Sequence, residues 1–491
     1  MDCKIRKKYI KPKQKKPFCS FFTYSVYVFS LFKGGCRFEQ FFLFYLCLKL
    51  IINIMNDLLT QRDSVNSWFQ RYGVRFGIYK NGEFNEQIFP FDPIARRISA
   101  AEWKFLEKGL VQRVNALNMF LSDIYSKKRI IKDGVVPEDF VYSSSGYLPF
   151  CEGIRPPKGI WSHISGIDLV HGKDDEWYIL EDNLRIPSGA SYPLIAREIT
   201  QNVSPSTFEA NNIADNRNYA QMLSSMMDYV KPIDGISVIL TPGRYNSAYF
   251  EHSYFAEKTG AVLAVNADLR VENNKLYYIG IGNEKQPVSV VYRRISDEFL
   301  DPLVFNHDSL LGVANIMQVY KKGNLAIVNA PGNGVADDKG IYYFVPKMIK
   351  YYLSEEPILK NAPTYLPFYE EDRKYVLDNL RKLVIKDVAE AGGYGVIFCE
   401  KLNAQKFDDI KKLVSTQPRR WIAQEVVDFN DLPLFEGDKI VERKADLRAY
   451  VVTGEKTEVW KCGLTRFSRN PDSFIVNSSQ GGGFKDTWVS N

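Results

Sequence analysis

The sequence predicts an α/β chain of several lobes, and three observations predict it. Short β-type runs recur between residues 163 and 477, with helix-period stretches between several of them. A capped amphipathic helix precedes the first of these runs. The chain has 491 residues, 45% apolar and 25% charged. That is ordinary globular composition with room for roughly two to four domains, and it excludes collagen-like, coiled-coil and disordered chains.

From the N-terminus, eight Lys/Arg against Asp2 give the first sixteen residues a charge of +7. The whole chain carries +6, which leaves −1 for residues 17–491. The body therefore offers no composition-level signal for nucleic acid. Two apolar, aromatic-rich stretches follow, residues 20–32 and 41–54, each shorter than the roughly 20 residues needed to span a bilayer, and Lys49 interrupts the second. No small-residue cleavage site follows them. The expectation is that the functional chain begins at Met55, that residues 1–54 lie outside the fold, and that the protein is cytoplasmic, with no membrane association unless that extension is genuine. Seven irregularly spaced cysteines and four histidines argue against a disulfide framework and a structural zinc site.

Ser99 and Glu102 form a capping-box pattern, and Trp103, Leu106, Leu110, Val114, Leu117, Leu121 and Ile124 continue at helical spacing. Strands are expected at 163–170, 176–184, 236–240, 288–295, 326–329, 383–386, 421–427, 447–453, 458–467 and 474–477. Helices are expected at 210–230, 247–259, 338–353 and 407–415.

Six constellations can carry chemistry. In the predicted hairpin HISGIDLV-HGKDDE-WYILEDNLR, Glu181 and Asn183 leave one strand face, and Asp168 falls opposite Leu180 or Glu181. Opposed carboxylates repel by roughly 0.2–1 kcal/mol, so a positive group belongs between them. Two carboxylates and an amide oxygen suit Mg²⁺, although a solvated hairpin edge explains them equally well. Lys386 precedes Gly392, Gly393 and Gly395, a loop able to approach phosphate or a plain hairpin turn. Asp337 and Asp338 cap a helix starting near Lys339. Gln424 and Glu425 interrupt an apolar strand whose edge could bond a purine or lie buried. Asp446 and Arg448 share a strand face, where Arg448 can clamp a phosphate or pair with Asp446. Asn477, Ser478, Ser479 and Gly481 to Gly483 make a small-residue loop or a loose tail.

The order of these motifs, with DPIARRI, LEDNLRIPSG, LTPGRYNSAYFEH, VADDKG and NSSQGGGFKDTW, resembles the circularly permuted type 2 ATP-grasp family, related to glutathionylspermidine synthetase. The resemblance covers residues 88–491. It departs from many relatives at Asp387, where proline is common. It implies a circularly permuted ATP-grasp fold of α+β lobes with an inserted Rossmann-like pre-ATP-grasp domain. The implied divisions are a helical region at 55–135, a metal-binding part at 136–205, the Rossmann-like domain at 206–335 and an ATP-binding part at 336–491.

By matched position the resemblance implies that Lys339 and Lys386 touch ATP phosphates, that Gly392, Gly393, Tyr394 and Gly395 cover them, and that Gln424, Glu425 and Val427 form the adenine hinge. Asn477 closes on the nucleotide, and Asp168, Glu181 and Asn183 hold Mg²⁺. Arg448 stabilises an acyl phosphate; Arg293, Arg294, Tyr245, Asn246 and Glu251 are candidates for holding the acceptor or its carboxylate. The implied activity is an ATP-dependent carboxylate–amine ligase that forms an amide through an acyl phosphate and releases ADP and phosphate. Its partners would be small-molecule or peptide carboxylates and amines. A nucleotide-binding regulatory or scaffold protein and a small-molecule phosphotransferase are the alternatives. The motifs do not identify the carboxylate, the amine, the pathway or the oligomeric state.

Overall fold

A computed structural model describes residues 38–80, 83–389, 395–437, 439–471, 476 and 482–491. The chain divides into two compact units, Met1–Leu59 and Thr60–Asn491. In the first unit the described residues are helical, within α1 (Phe38–Arg71), and expose Leu46, Leu50, Ile51, Ile52 and Ile54. The apolar stretch 41–54 lies in this helix, whereas 20–32 lies outside the described residues. No helix among the described residues is long and apolar enough to cross a membrane.

In the second unit, β1 (Arg75–Lys80) and β2 (Glu83–Ile88) pair as a separate hairpin. They are followed by β3 (Phe91–Ile98), α2 (Ala100–Ile124), β4 (Ile164–His171), β5 (Trp177–Asn183), α3 (Ser191–Val203) and α4 (Tyr219–Val230). The middle of the chain holds β6 (Ile236–Leu240), α5 (Tyr249–Thr259), β7 (Val262–Ala264), β8 (Leu269–Glu272), β9 (Lys275–Ile279), β10 (Lys285–Arg293) and β11 (Ala326–Val328). Then come α6 (Lys339–Tyr342), α7 (Val345–Leu353), β12 (Lys360–Asn361), β13 (Thr364–Tyr365), α8 (Glu370–Asn379), β14 (Leu383–Asp387), β15 (Val396–Phe398) and α9 (Ala404–Thr416). The last strands are β16 (Trp421–Glu425), β17 (Asp431–Glu436), β18 (Lys439–Thr453), β19 (Thr457–Phe467) and β20 (Gly483–Val489).

Three sheets organise these strands. One is built from β6 to β11, with β7, β6, β10 and β11 parallel; Val288 to Arg293 of β10 are all buried, as a doubly covered strand requires. A small antiparallel sheet runs β13-β16-β14-β15. The largest runs β12-β5-β4-β18-β19-β20-β3, with β17 on the edge of β18. It joins strands from before residue 184 to strands from after residue 438, and β4 lies directly against β18. Ser99 caps α2 by accepting from Glu102 N at 3.2 Å, and Trp103, Leu106, Leu110, Val114, Leu117, Leu121 and Ile124 are all buried, so the helical stripe packs as its spacing predicts.

Several boundaries differ from the sequence reading. The helix predicted at 210–230 starts at Tyr219. Before it the chain runs beside β20, where Ala214 N bonds Val489 O at 2.8 Å, and Trp460 Nε1 takes Asn216 O at 2.7 Å. The stretch 338–353 breaks into α6 and α7 near Phe344, and Pro346 opens the second helix. The strand at 421–427 stops at Glu425. The strand expected at 474–477 lies outside the described residues except for Val476, which is buried.

Asn329 joins two of these sheets. Just beyond β11, its Oδ1 accepts from His163 N at 2.7 Å and Ile164 N at 2.8 Å, and its Nδ2 donates to Ile164 O and Leu184 O. It is 1% exposed, so water cannot replace these bonds. Asn329→Ala is expected to cost about 2–4 kcal/mol, because buried main-chain groups lose their partners. Denaturant unfolding measures the loss.

Candidate active site

The site is assembled by strand register. In the β4–β5 hairpin Asp168 faces Glu181 and Gly166 faces Asn183, with an irregularity that takes Leu180 out of the pairing. Across the other edge of β4, Asp168 faces Arg448 of β18; one strand further, Asp446 faces Arg466 of β19. Arg448 grips Asp168 with Nε on Oδ1 at 2.7 Å and Nη2 on Oδ2 at 2.8 Å. Arg466 Nη2 reaches the same Oδ2 at 2.8 Å. Burial alone would raise the Asp168 carboxyl, but Arg448 and Arg466 overcome it and hold the group down at about 2.

The positive charge expected between Asp168 and Glu181 is supplied in part by lysine. Lys339 Nζ sits 3.0 Å from Glu181 Oε1, with Lys339 at the first position of α6, where Asp338 caps by accepting from Gly340 N at 2.7 Å. Lys386, on β14, feels Glu181, Asp168 and Lys339; burial dominates and lowers its ammonium to about 8. Asn183 Nδ2 approaches Asp168 Oδ2 at 3.4 Å. Two carboxylates and one amide therefore lie together, a donor set of the hard-oxygen kind that suits Mg²⁺, although both Asp168 oxygens are engaged by guanidiniums. Among the described residues no group of three or more His, Cys, Asp and Glu side chains is spaced to hold a metal ion.

Asp387, the departure noted beside Lys386, organises the entry to the glycine loop. It is buried, accepts from Ala389 N at 3.0 Å and from Arg420 Nε at 2.7 Å, and its N bonds Gly395 O at 3.2 Å. Gly395 has φ +74, a conformation glycine adopts freely. Gly392, Gly393 and Tyr394 lie outside the described residues, as do Asn477, Ser478, Ser479 and Gly481. On β16, Gln424 Nε2 donates to Thr364 Oγ1 at 3.0 Å, and Glu425 Oε1 accepts from Tyr365 OH at 2.7 Å. The side chains of Gln424 and Glu425 are thus occupied within the protein. Val427 follows the end of that strand.

Arg293 and Arg294 are not brought to an open surface. Arg293 is fully buried, with Nε on Asn329 O at 2.8 Å, Nη1 on Ile295 O at 3.0 Å and Nη2 near Asn333 Oδ1 and Asp297 Oδ1. Arg294 bonds Pro187 O, Tyr292 OH, Ser188 Oγ and Glu251 Oε1. Glu251 Oε2 accepts from Gly189 N at 2.8 Å, Ser191 N at 3.1 Å and Ser191 Oγ at 3.1 Å. This pair clamps the 187–191 turn, whose Ser188 O accepts from Tyr450 OH at 2.8 Å beside Arg448. Asn246 caps locally onto Ala248 N at 2.9 Å, whereas Tyr245 is 85% exposed.

Sequence reasoning missed Arg466, Arg113 and the true place of Asp337. Asp337 does not cap a helix; it accepts from Leu184 N at 2.6 Å and Arg185 N at 3.1 Å, and burial lifts its carboxyl to about 6. Asp182 points away from Glu181 and Asn183 and is gripped by Arg113, Nε on Oδ1 at 2.6 Å and Nη2 on Oδ2 at 2.7 Å. Strand alternation could have revealed that Asp182 needs a cation on the opposite face. Arg466 carries no such local signal, because only register brings it to Asp168.

A family model described as circularly permuted ATP-grasp type 2 matches residues 96–468. An uncharacterized protein of Synechocystis is 48% identical over 423 residues, covering 85% of this chain and 87% of its own. A protein of Frankia casuarinae with the provisional name glutamate–cysteine ligase 2-2 is 37% identical over 413 residues, 83% of this chain but only 48% of its own. Among solved structures, a glutathione synthetase-like effector from Globodera pallida in apo form matches with a TM-score of 0.54 at 11% identity, over 88% of this chain and 97% of that one. At that identity the likeness concerns the fold alone.

Lys386 yields a pH signature. Its folded-state value of about 8 lies below the ordinary 10.5, so between these limits the unfolded chain binds more protons and stability rises with pH. Lys386→Met removes this dependence. The stability of the variant relative to the parent is expected to be highest below pH 8 and to fall toward pH 10.5, read by thermal unfolding across that window. A difference independent of pH would mean that the ammonium is solvated.

Proposed function

Because the chain belongs to the circularly permuted type 2 ATP-grasp family, we propose that it is an ATP-dependent ligase joining a carboxylate to an amine, with release of ADP and phosphate. The observation that carries this reading is the meeting of Lys339 and Arg448, from the late part of the chain, with Glu181 and Asp168, from the early hairpin. A cluster of fixed cations against carboxylates is what phosphoryl transfer needs, since the reaction is governed by positioning and charge stabilisation.

In this reading Lys339 and Lys386 hold the nucleotide phosphates, with Gly392, Gly393, Tyr394 and Gly395 over them. Gln424, Glu425 and Val427 border the adenine, and Asn477 closes the pocket. Asp168, Glu181 and Asn183 hold Mg²⁺, which supplies charge neutralisation at the transferring phosphoryl group. The substrate carboxylate attacks the γ-phosphorus and ADP leaves; the amine nitrogen then attacks the acyl carbon, the C–O bond to phosphate breaks, and the nitrogen gives up a proton. Arg448 stabilises the acyl phosphate. The provisional name of the Frankia relative describes ligation of the same class, and small amino acids or short peptides are the first substrates to try.

Incubation with ATP, Mg²⁺ and mixed carboxylates and amines is expected to yield ADP together with a new amide, read by mass spectrometry. ADP with a stable phosphorylated small molecule would instead indicate phosphotransfer, and no ADP at all would sink the reading. Glu181→Gln keeps the side-chain volume and is expected to lower Mg²⁺-dependent ATP turnover about 100-fold with an unchanged unfolding temperature. Full turnover in that variant removes Glu181 from the metal set.

A further inference from the structure

We propose that Asp387 and Arg420 are a positioning pair for nucleotide binding, fixing the stretch of main chain on which the relative placement of Lys386 and Lys339 depends. The proposal rests on the ligase reading for its ligand, ATP, and deepens that reading by naming residues that act through the two lysines. Side chains alternate along β14, so Lys386 and Asp387 leave opposite faces of the strand. Ile385, on the Asp387 face, packs in the small sheet's own core with Trp421 and Ala423, whereas Lys386 is within electrostatic reach of Glu181 and Lys339. Asp387 therefore influences the nucleotide only through the backbone.

That backbone is tied on every side. Asp387 is 5% exposed, and a carboxylate so buried must be paired and hydrogen-bonded. Its Oδ1 accepts from Ala389 N at 3.0 Å, which closes a turn two residues on, and its Oδ2 accepts from Arg420 Nε at 2.7 Å. Arg420 holds the same stretch a second time, because its carbonyl accepts from Val388 N at 3.0 Å. Val388 O in turn accepts from Lys339 N at 3.2 Å, so the residue that Arg420 fixes also carries the start of α6. On the other edge Asp387 N bonds Gly395 O at 3.2 Å. Proline at position 387 would supply neither this N–H nor the carboxylate, so aspartate there is not a neutral replacement. The pair thus joins β14, β16 and α6, and a lysine on each side of Val388 is placed by it.

Calorimetric titration of the full chain with Mg²⁺ and an imido analogue of ATP tests the pair without turnover. Asp387→Ala is expected to lower affinity about ten-fold, the scale of a small misplacement of binding groups. Asp387→Asn keeps an oxygen for Ala389 N and is expected to lose less than about three-fold. Arg420→Met, at a half-exposed side chain, is expected to weaken binding with an unchanged unfolding temperature, and the Asp387→Ala/Arg420→Met double variant to bind no more weakly than Asp387→Ala alone. Parent-like affinity in Arg420→Met overturns the proposal even where Asp387→Ala fails to fold, as do additive losses or an Asn variant as weak as the Ala variant. Amide formation by the parent with parent-like affinity in the variants defeats the pair alone. The expected losses without any amide formation by the parent defeat the ligase reading alone, and a parent that binds no analogue at millimolar concentration defeats both.

Discussion

The site depends on one constraint, the pairing of Asp168 with Arg448 across the β4–β18 edge. Asp168 is 3% exposed, and a carboxylate so buried is costly unless paired and hydrogen-bonded. Two guanidiniums meet the cost and hold the group ionised. Because the paired residues are direct cross-strand neighbours, the charge match and the sheet register support each other: a slip of one position would turn Arg448 to the other face and leave Asp168 buried without its bidentate partner. The order of charges across the face, from Glu181 through Asp168 and Arg448 to Asp446 and Arg466, is therefore a structural requirement before it is a chemical one.

That pairing also closes the largest sheet. Its partners lie 280 positions apart, so the central strands cannot assemble until nearly all of the chain is available. The β6–β11 sheet intervenes in sequence and returns to the site through Asn329 and through the clamp of Glu251 and Arg294 on the 187–191 turn. Gly189 shows how tight this return is: it has φ +108, and a Cβ there would stand 2.7 Å from Leu464 Cδ2 and 3.0 Å from Tyr450 OH. Arg294 and Glu251 thus contact the turn that touches Arg448, which gives them a mechanical connection to the site without exposing either to a ligand.

Much of the fold was legible because its signals are local. The Ser99 cap, the buried stripe of α2, the run at 236–240 and the alternation of Glu181 and Asn183 each follow from spacing within a few residues. The length of the turn placed Asp168 opposite Leu180 or Glu181, and the strand register selects Glu181. What stayed hidden depends on partners distant in sequence. Arg466 looks like any strand arginine until Asp446 and Asp168 are set beside it, and Arg113 reads as a polar position on α2 until Asp182 is seen to face it. Arg293 and Arg294, which the family resemblance made candidates for holding the acceptor, are engaged by main-chain and carboxylate partners from segments that no periodicity connects to them.

The charge balance bears on the nucleotide reading. Asp168, Asp446 and Glu181 oppose Lys339, Lys386, Arg448 and Arg466, which leaves one positive charge in excess, and burial weakens even that by easing the proton from Lys386. A nucleoside triphosphate carries far more negative charge than this excess can neutralise. Most of the cationic capacity is already spent on the protein's own carboxylates, so the lysines and arginines alone serve better to orient phosphates than to balance them. On the proposed reading a divalent cation at the same carboxylates would shift that balance in the needed direction, satisfying Glu181 and freeing Lys339 for the ligand. On the proposed reading the ion pairs that keep the site folded would exchange for a metal–nucleotide complex, so that preorganisation and binding would use the same side chains.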